Sequence, residues 1–168
     1  MASGAALIAS RCHRHVLRGV AGNAIVRIQQ WRDGVAMLYS PIITDIPDAI
    51  TDGLRDVKHK TDAEWSVEDI CQSVLSGKSF LFIDSSDSTS FVVLTEWQCP
   101  YTKEHILEVQ AAYSKTGDAM AKYSSDIDAI GREAGCSRIE FSSPREGFKR
   151  LAGEYGYEPV FVTYRKKL

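Results

Sequence analysis

Between Ser79 and Tyr113 three strand-like runs follow one another, with helical periodicity on either side. Ser79–Asp84 (SFLFID) and Ser90–Trp97 (SFVVLTEW) are rich in β-branched and aromatic residues, which suit a pleated, half-buried surface. The five residues between them, Ser85-Ser86-Asp87-Ser88-Thr89, are polar turn formers, so the two runs read as a hairpin. The third run, from about Ile106 to Tyr113, alternates Leu107, Val109 and Ala111 with Glu108 and Gln110. Its two faces must therefore differ in character.

Upstream, Ala36–Ile43 reads as a short strand, placed at a sheet edge by Pro41. Thr44 or Asp45 is expected to cap a helix with Pro47 in its first turn. Ile46, Ile50, Leu54 and Val57 carry that helix's apolar face to about Lys60. Ser66-Val67-Glu68-Asp69 has the pattern of a capping box. It opens a second helix, striped by Val67, Ile70, Cys71, Val74 and Leu75 and stopped at Gly77.

Downstream, Met120, Tyr123, Ile127, Ile130 and Ala134 recur at helical spacing from about Gly117 to Gly135. Ser137–Ser142 is a short strand. Pro144 opens a helix through Phe148, Leu151, Ala152 and Tyr155, closed by Gly156, and Pro159–Tyr164 forms a last strand. The order β-α-α-β-β-β-α-β-α-β describes an α/β (α+β) fold with helices packed on a mixed, largely antiparallel sheet.

A chain of 168 residues holds one domain with a proper core. The net charge of −2 supplies no global basic field for nucleic acid. No apolar run approaches the length of a membrane span. Cys12, Cys71, Cys99 and Cys136 are widely spaced, which argues for free thiols in a reducing cytosol over a disulfide scaffold or zinc site. His13 and His15 have no acidic residue near them, so no metal site is expected.

Residues 1–32 hold Arg11, Arg14, Arg18, Arg27 and Arg32 and no acid, whereas charges mix from Asp45 onward. The chain divides into a basic arm, 1–36, and a domain, 37–168. A transit peptide, an arm for a partner or a phosphate backbone, an ordinary N-terminal helix and an upstream extension before a natural start at Met37 all fit the arm. The extension is preferred, because the body from Met37 already looks like a complete domain. Arg11, Arg14 and Arg18 break up any secretory apolar region.

Two segments resemble the GCN5-related N-acetyltransferase (GNAT) family. Val109-Gln110-Ala111-Ala112-Tyr113-Ser114-Lys115-Thr116-Gly117-Asp118-Ala119 is similar to the family's fourth strand, acetyl-CoA loop and long-helix start. Its signature, Gln/Arg-x-x-Gly-x-Gly/Ala, matches Ser114 through Ala119. Phe148-Lys149-Arg150-Leu151-Ala152-Gly153-Glu154-Tyr155-Gly156-Tyr157-Glu158-Pro159 resembles the family's last helix and its Gly-aromatic turn. The resemblance extends over residues 37–168 and includes several phage-encoded members. It implies that acetyl-CoA is a cosubstrate, bound by Val109, Gln110, Ala111, Ser114, Lys115, Thr116, Gly117, Asp118 and Ala119. The physical basis is that amides at a helix N-terminus attract a diphosphate, and small residues let it approach. Free amides are therefore expected from Gly117 to Ala119.

Three positions depart from the family. Ser114 replaces a long donor, Asp118 brings a negative charge to the diphosphate position, and Ala152 stands where a tyrosine protonates the departing thiolate. Catalysis would rest on a backbone N–H near Val109 or Gln110 to polarise the thioester. A carboxylate would deprotonate the amine, with Glu108, Glu96 and Glu140 as candidates. The expected activity is acetyl transfer to a small-molecule or protein amine. The alternative is a non-catalytic structural or interaction protein, such as a virion or assembly component, using residues 1–36 for a partner or for self-association. Location would be cytoplasmic, or in the virion for the alternative, and nucleic-acid binding is disfavoured.

Overall fold

The computed structural model describes residues 38–39, 43–61, 63–145, 147–160 and 166. The elements are β1 (Leu38–Tyr39), α1 (Asp48–Thr61), α2 (Val67–Leu75), β2 (Phe80–Asp84), β3 (Phe91–Gln98), β4 (His105–Tyr113), α3 (Ala119–Ala134), β5 (Arg138–Glu140) and α4 (Gly147–Glu154). The five strands lie in the order in which they occur in the chain. Every neighbouring pair is antiparallel except β4 and β5, which α3 joins as a parallel crossover. The expected mixed, largely antiparallel sheet flanked by helices is thus present. The arm 1–36 lies outside the described residues. So does most of the expected closing strand, whose described residues, 159 and 160, are not in a strand. Of the expected first strand only Leu38 and Tyr39 are described as strand.

Alternation along the strands sorts side chains onto two faces. On one, Phe82, Val92, Leu94 and Leu107 pack under Tyr123, Ile127 and Ile130 of α3. On the other, Leu81, Ile83, Phe91, Val93 and Ala111 pack against Ile50 and Leu54 of α1 and Val67 and Ile70 of α2. Gly53 lets α1 come close, since a Cβ there would stand 2.6 Å from Cε1 of Phe91. No helix among the described residues is long and apolar enough to cross a membrane.

Local signals acted largely as the chain's chemistry requires. Ser66 accepts from the Asp69 amide at 3.0 Å, and Asp69 accepts from the Ser66 amide at 3.1 Å, completing the capping box. Gly135 closes α3 in the left-handed conformation at φ 76°. Boundaries differ from expectation in places, and α4 runs from Gly147 with Pro144 outside it. Pro47 precedes α1 rather than lying in its first turn, its carbonyl accepting the Thr51 amide at 3.1 Å. Asp45 bonds the neighbouring Ile46 amide and caps nothing further on. α3 starts at Ala119, because Gly117 takes φ 80° in the preceding turn.

Candidate functional site

The site is built around β4, whose two neighbours treat it differently. With β3 it pairs along its whole length, from Gln98 and His105 to Phe91 and Tyr113. With β5 it pairs only through Ile106, Leu107 and Glu108, opposite Arg138, Ile139 and Glu140. Beyond Glu108, residues Val109 to Tyr113 have no β5 partner because β5 ends at Glu140, which leaves a wedge in the pairing between the two strands.

At the mouth of that wedge β4 is irregular. Leu94 pairs with Val109, yet the next rung joins Val93 to Ala111, leaving Gln110 as an extra residue. The consequence is visible in the packing. Leu107 and Val109 belong to the α3 face; after the extra residue, Ala112 belongs to that face and Ala111 and Tyr113 to the other. Tyr113 thereby stacks on Phe91, ring centroids 5.7 Å apart. Gln110 is tied into a buried hydroxyl cluster. Ser79 donates to its Oε1 at 2.9 Å, and the Ser79 hydroxyl also meets Thr95 at 2.7 Å and Ser73 at 2.6 Å.

The three candidate carboxylates are not gathered in one place. Glu108 and Glu140 are register partners and so share a face. Glu108 also pairs with Thr95, and Glu96 with Leu107, so Glu96 points to the opposite, α3 face. There Glu96 takes a hydrogen bond with His105 Nδ1 at 3.0 Å. Both line a shallow recess of about 270 Å³ with Lys78, Phe80, Trp97 and Gln98, at the end of β4 away from the wedge. Glu140 is held by Arg138 Nε at 2.6 Å, and Arg138 also pairs with Glu104. Among the described residues no donor reaches Glu108, and burial together with the charge of Glu140 raises its pKa above the ordinary glutamate value.

The loop from Ser114 to Ala119 is partly closed on itself. The Gly117 amide donates to the Ser114 carbonyl at 2.9 Å, and the Lys115 amide to the Ser90 hydroxyl at 3.3 Å. The Gly117 amide is thus not free, against expectation, because the left-handed glycine folds it back into a turn. The Asp118 carboxylate accepts from the Ser114 and Thr116 hydroxyls, both at 2.5 Å, and these bonds lower its pKa. Intrahelical bonding begins with the Lys122 amide to the Asp118 carbonyl at 3.0 Å, so the amides of Ala119, Met120 and Ala121 precede it.

One cluster beside the loop is not singled out by the sequence reading. Asp84, at the end of β2, is buried and accepts from the Tyr123 hydroxyl at 2.8 Å, from Lys122 Nζ at 2.5 Å and from the Ser86 amide and hydroxyl at 2.7 Å each. Burial alone would raise its pKa; the Lys122 ammonium, Ser86 and Tyr123 outweigh it and hold the carboxyl at about 2. Lys122 also feels the charges of Asp118 and Asp87, so a cation stands at the first turn of α3. An acid ending an apolar run, and a tyrosine within an apolar helical stripe, are the signals that point to this pair in the sequence.

On α4, the Ala152 carbonyl accepts the amides of Tyr155 and Tyr157, each at 3.0 Å. Tyr157 packs edge-on to Phe141, centroids 5.0 Å apart. Among the described residues no cluster of His, Cys, Asp or Glu could hold a metal ion.

No protein-family profile and no curated protein matches the sequence. Solved structures do match the fold. A Trypanosoma brucei acetyltransferase superposes with a TM-score of 0.52 at 12% identity, covering 74% of this chain and 96% of its own. A Pyrococcus furiosus protein assigned as an acetyl transferase gives 0.57 at 14%, covering 72% and 93%. The ribosomal-protein-alanine N-acetyltransferase of Brucella melitensis gives 0.51 at 14%, covering 72% and 92%. With its bulged fourth strand parting from a parallel fifth, this chain has the GNAT fold of these acetyltransferases.

Proposed function

We propose that the chain binds acetyl-CoA in the wedge between β4 and β5 and transfers the acetyl group to an amine. The observation that carries this reading is the parting of the two strands just beyond Glu108 and Glu140, with a bulge at Gln110 beside it. The edge from Val109 to Tyr113, without a β5 partner, offers backbone donors and acceptors to an extended ligand, as a missing strand would. Ala111 and Ala112 keep that edge narrow. The amides of Ala119 to Ala121, with Lys122 beside them, suit a diphosphate. Asp118 does not, and a bound diphosphate must displace its carboxylate or bind across it.

Acetyl-CoA supplies an activated acyl group; the chain's own residues position it and manage the proton. Glu108 is the base best suited to take a proton from the acceptor amine. It lies at the wedge, no donor among the described residues holds it, and its raised pKa brings it nearer to neutrality. Glu140 is engaged by Arg138, and Glu96 is on the other face with His105. Without a hydroxyl at Ala152, the departing thiolate takes its proton from solvent.

Isothermal titration of the purified chain with acetyl-CoA and CoA tests the first half. Binding in the range of roughly 1 μM to 1 mM is expected, as for ordinary enzyme substrates. Transfer of labelled acetate to a panel of primary amines tests the second. No binding at millimolar CoA would overturn the reading. It would favour a non-catalytic protein of the same fold, for which the carboxylate of Asp118 resting on Ser114 and Thr116 is the supporting observation.

A further inference from the structure

We propose that Gln110 is a positioning residue, held by a saturated hydroxyl relay from α2, that fixes the bulge of β4 and so the backbone that would meet the thioester. The inference rests on acetyl-CoA being the substrate, and it concerns how this chain holds the site in shape.

The bulge has no local backbone cause. Val109, Gln110 and Ala111 include neither glycine nor proline, and a bulge of ordinary residues can form at many places along a strand. Something else must select the register in which Gln110 is the extra residue. Side-chain bonding at Gln110 itself provides it. Ser79 is 2% exposed and its hydroxyl has three partners: Gln110 Oε1, Thr95 Oγ1 and Ser73 Oγ. A hydroxyl has one proton and two acceptor positions. Since Ser79 donates to Gln110, it must accept from both Ser73 and Thr95, and its capacity is then filled. The Ser79 amide is fixed as well, donating to the Ser73 carbonyl at 3.1 Å.

The relay therefore joins the last turns of α2, the entry to β2, the middle of β3 and the bulge. Moving Gln110 out of place would take away the acceptor of the Ser79 proton, which could then be met only by reversing the bond to Ser73 or Thr95, and the cluster would lose one hydrogen bond. A slip by one residue would also turn Ala111 and Tyr113 to the wrong face. Because the extra residue offsets the alternation of N–H and C=O along β4's outer edge, the relay determines which amides face the wedge from Val109 onward.

Two measurements on the full chain test this with Gln110→Ala, Ser79→Ala and Gln110→Glu, the last keeping an acceptor for Ser79. The first is amide hydrogen exchange of the free protein. Exchange at residues 109–113 is expected to rise about tenfold in Gln110→Ala and Ser79→Ala, and to stay near the parent value in Gln110→Glu. Unchanged exchange in the first two overturns the relay. The second is the carbonyl stretch of acetyl-CoA labelled with ¹³C at the acetyl carbonyl. The parent chain should shift it to lower frequency. At acetyl-CoA concentrations that saturate each variant, Gln110→Ala and Ser79→Ala should lose most of that shift, with Gln110→Glu restoring it. Tight binding with the full shift in Gln110→Ala overturns the positioning role. A parent chain that binds no acetyl-CoA overturns the substrate reading and this thioester role, while the exchange result decides the relay by itself.

Discussion

Glu108 and Glu140 face each other across the last rung that β4 shares with β5. Two carboxylates so placed cannot both ionise as easily as either would alone. The one with no donor yields, and the pKa of Glu108 rises from burial and from the Glu140 charge. Glu140→Gln removes the charge and leaves the burial. The Glu108 carboxyl, followed by its ¹³C chemical shift through a pH titration, should titrate above the ordinary glutamate value in the parent and lower, though still raised, in the variant. An unchanged midpoint would mean that the two carboxylates do not interact. If Glu108 is the base, the acid limb of the rate profile should move to lower pH in the same variant, and Glu108→Gln should slow transfer by about 10²–10⁴-fold.

The Asp84 carboxylate, buried under Tyr123, gives the fold an acid-sensitive joint. Its pKa is about 2 in the folded chain against an ordinary aspartate value of 3.8. A depressed folded pKa stabilises the fold above the unfolded value, and that stabilisation is lost as pH falls through the folded one. The joint thus contributes on the order of 2 kcal/mol above about pH 4, lost towards pH 2. Tyr123→Phe removes one bond to the charge and should lower stability by about 1.5–3 kcal/mol at neutral pH in denaturant unfolding. It should also flatten the loss of stability between pH 4 and 2. A variant with the parent's acid profile would show that Tyr123 does not help to hold the carboxylate.

The elements were legible because apolar spacing and capping chemistry are local. Ser66 to Asp69 announced the start of α2, and Gly135 the end of α3. The site was legible only as a stretch of chain. The bulge at Gln110 follows from hydroxyls on α2, β2 and β3 that converge only in the folded sheet. Strand alternation within β4 could not show that Glu96 belongs to the other face, because that depends on its register with Leu107. Tyr123 read as one more core residue in a helical stripe, since its partner Asp84 is 39 positions away. Arg138 and Glu140, by contrast, are only two positions apart on one face of a strand, so their pairing was within reach of the sequence.

Gly53 and Gly153 separate steric need from backbone freedom. A Cβ at Gly53 would meet the Phe91 ring at 2.6 Å and Tyr113 at 3.1 Å, and Phe91 is fully buried beneath the helix. Gly53→Ala should therefore cost about 1–3 kcal/mol, as overpacking does in tight cores. At Gly153, on α4, no described residue lies within 4 Å of the added carbon. Gly153→Ala should raise stability by about 0.4–1 kcal/mol by restricting the unfolded chain. Equal effects of the two substitutions in urea unfolding would contradict the close approach of α1 to the sheet.

Asp118 decides how well the start of α3 can receive an anion. Its carboxylate lies over the loop on the hydroxyls of Ser114 and Thr116, close enough to Lys122 for each to shift the other's titration. A diphosphate at the amides of Ala119 to Ala121 meets this charge as repulsion, weakened by water and salt. Asp118→Asn keeps the side chain's size and an acceptor for the two hydroxyls while removing the charge. CoA affinity should then rise about threefold to tenfold at low ionic strength, with the gain shrinking as salt is added. Dephospho-CoA, which keeps the diphosphate and lacks the 3′-phosphate, should show the same gain. A gain for CoA alone would place the 3′-phosphate, rather than the diphosphate, beside Asp118. Unchanged affinity for both would remove the first turn of α3 from the binding site.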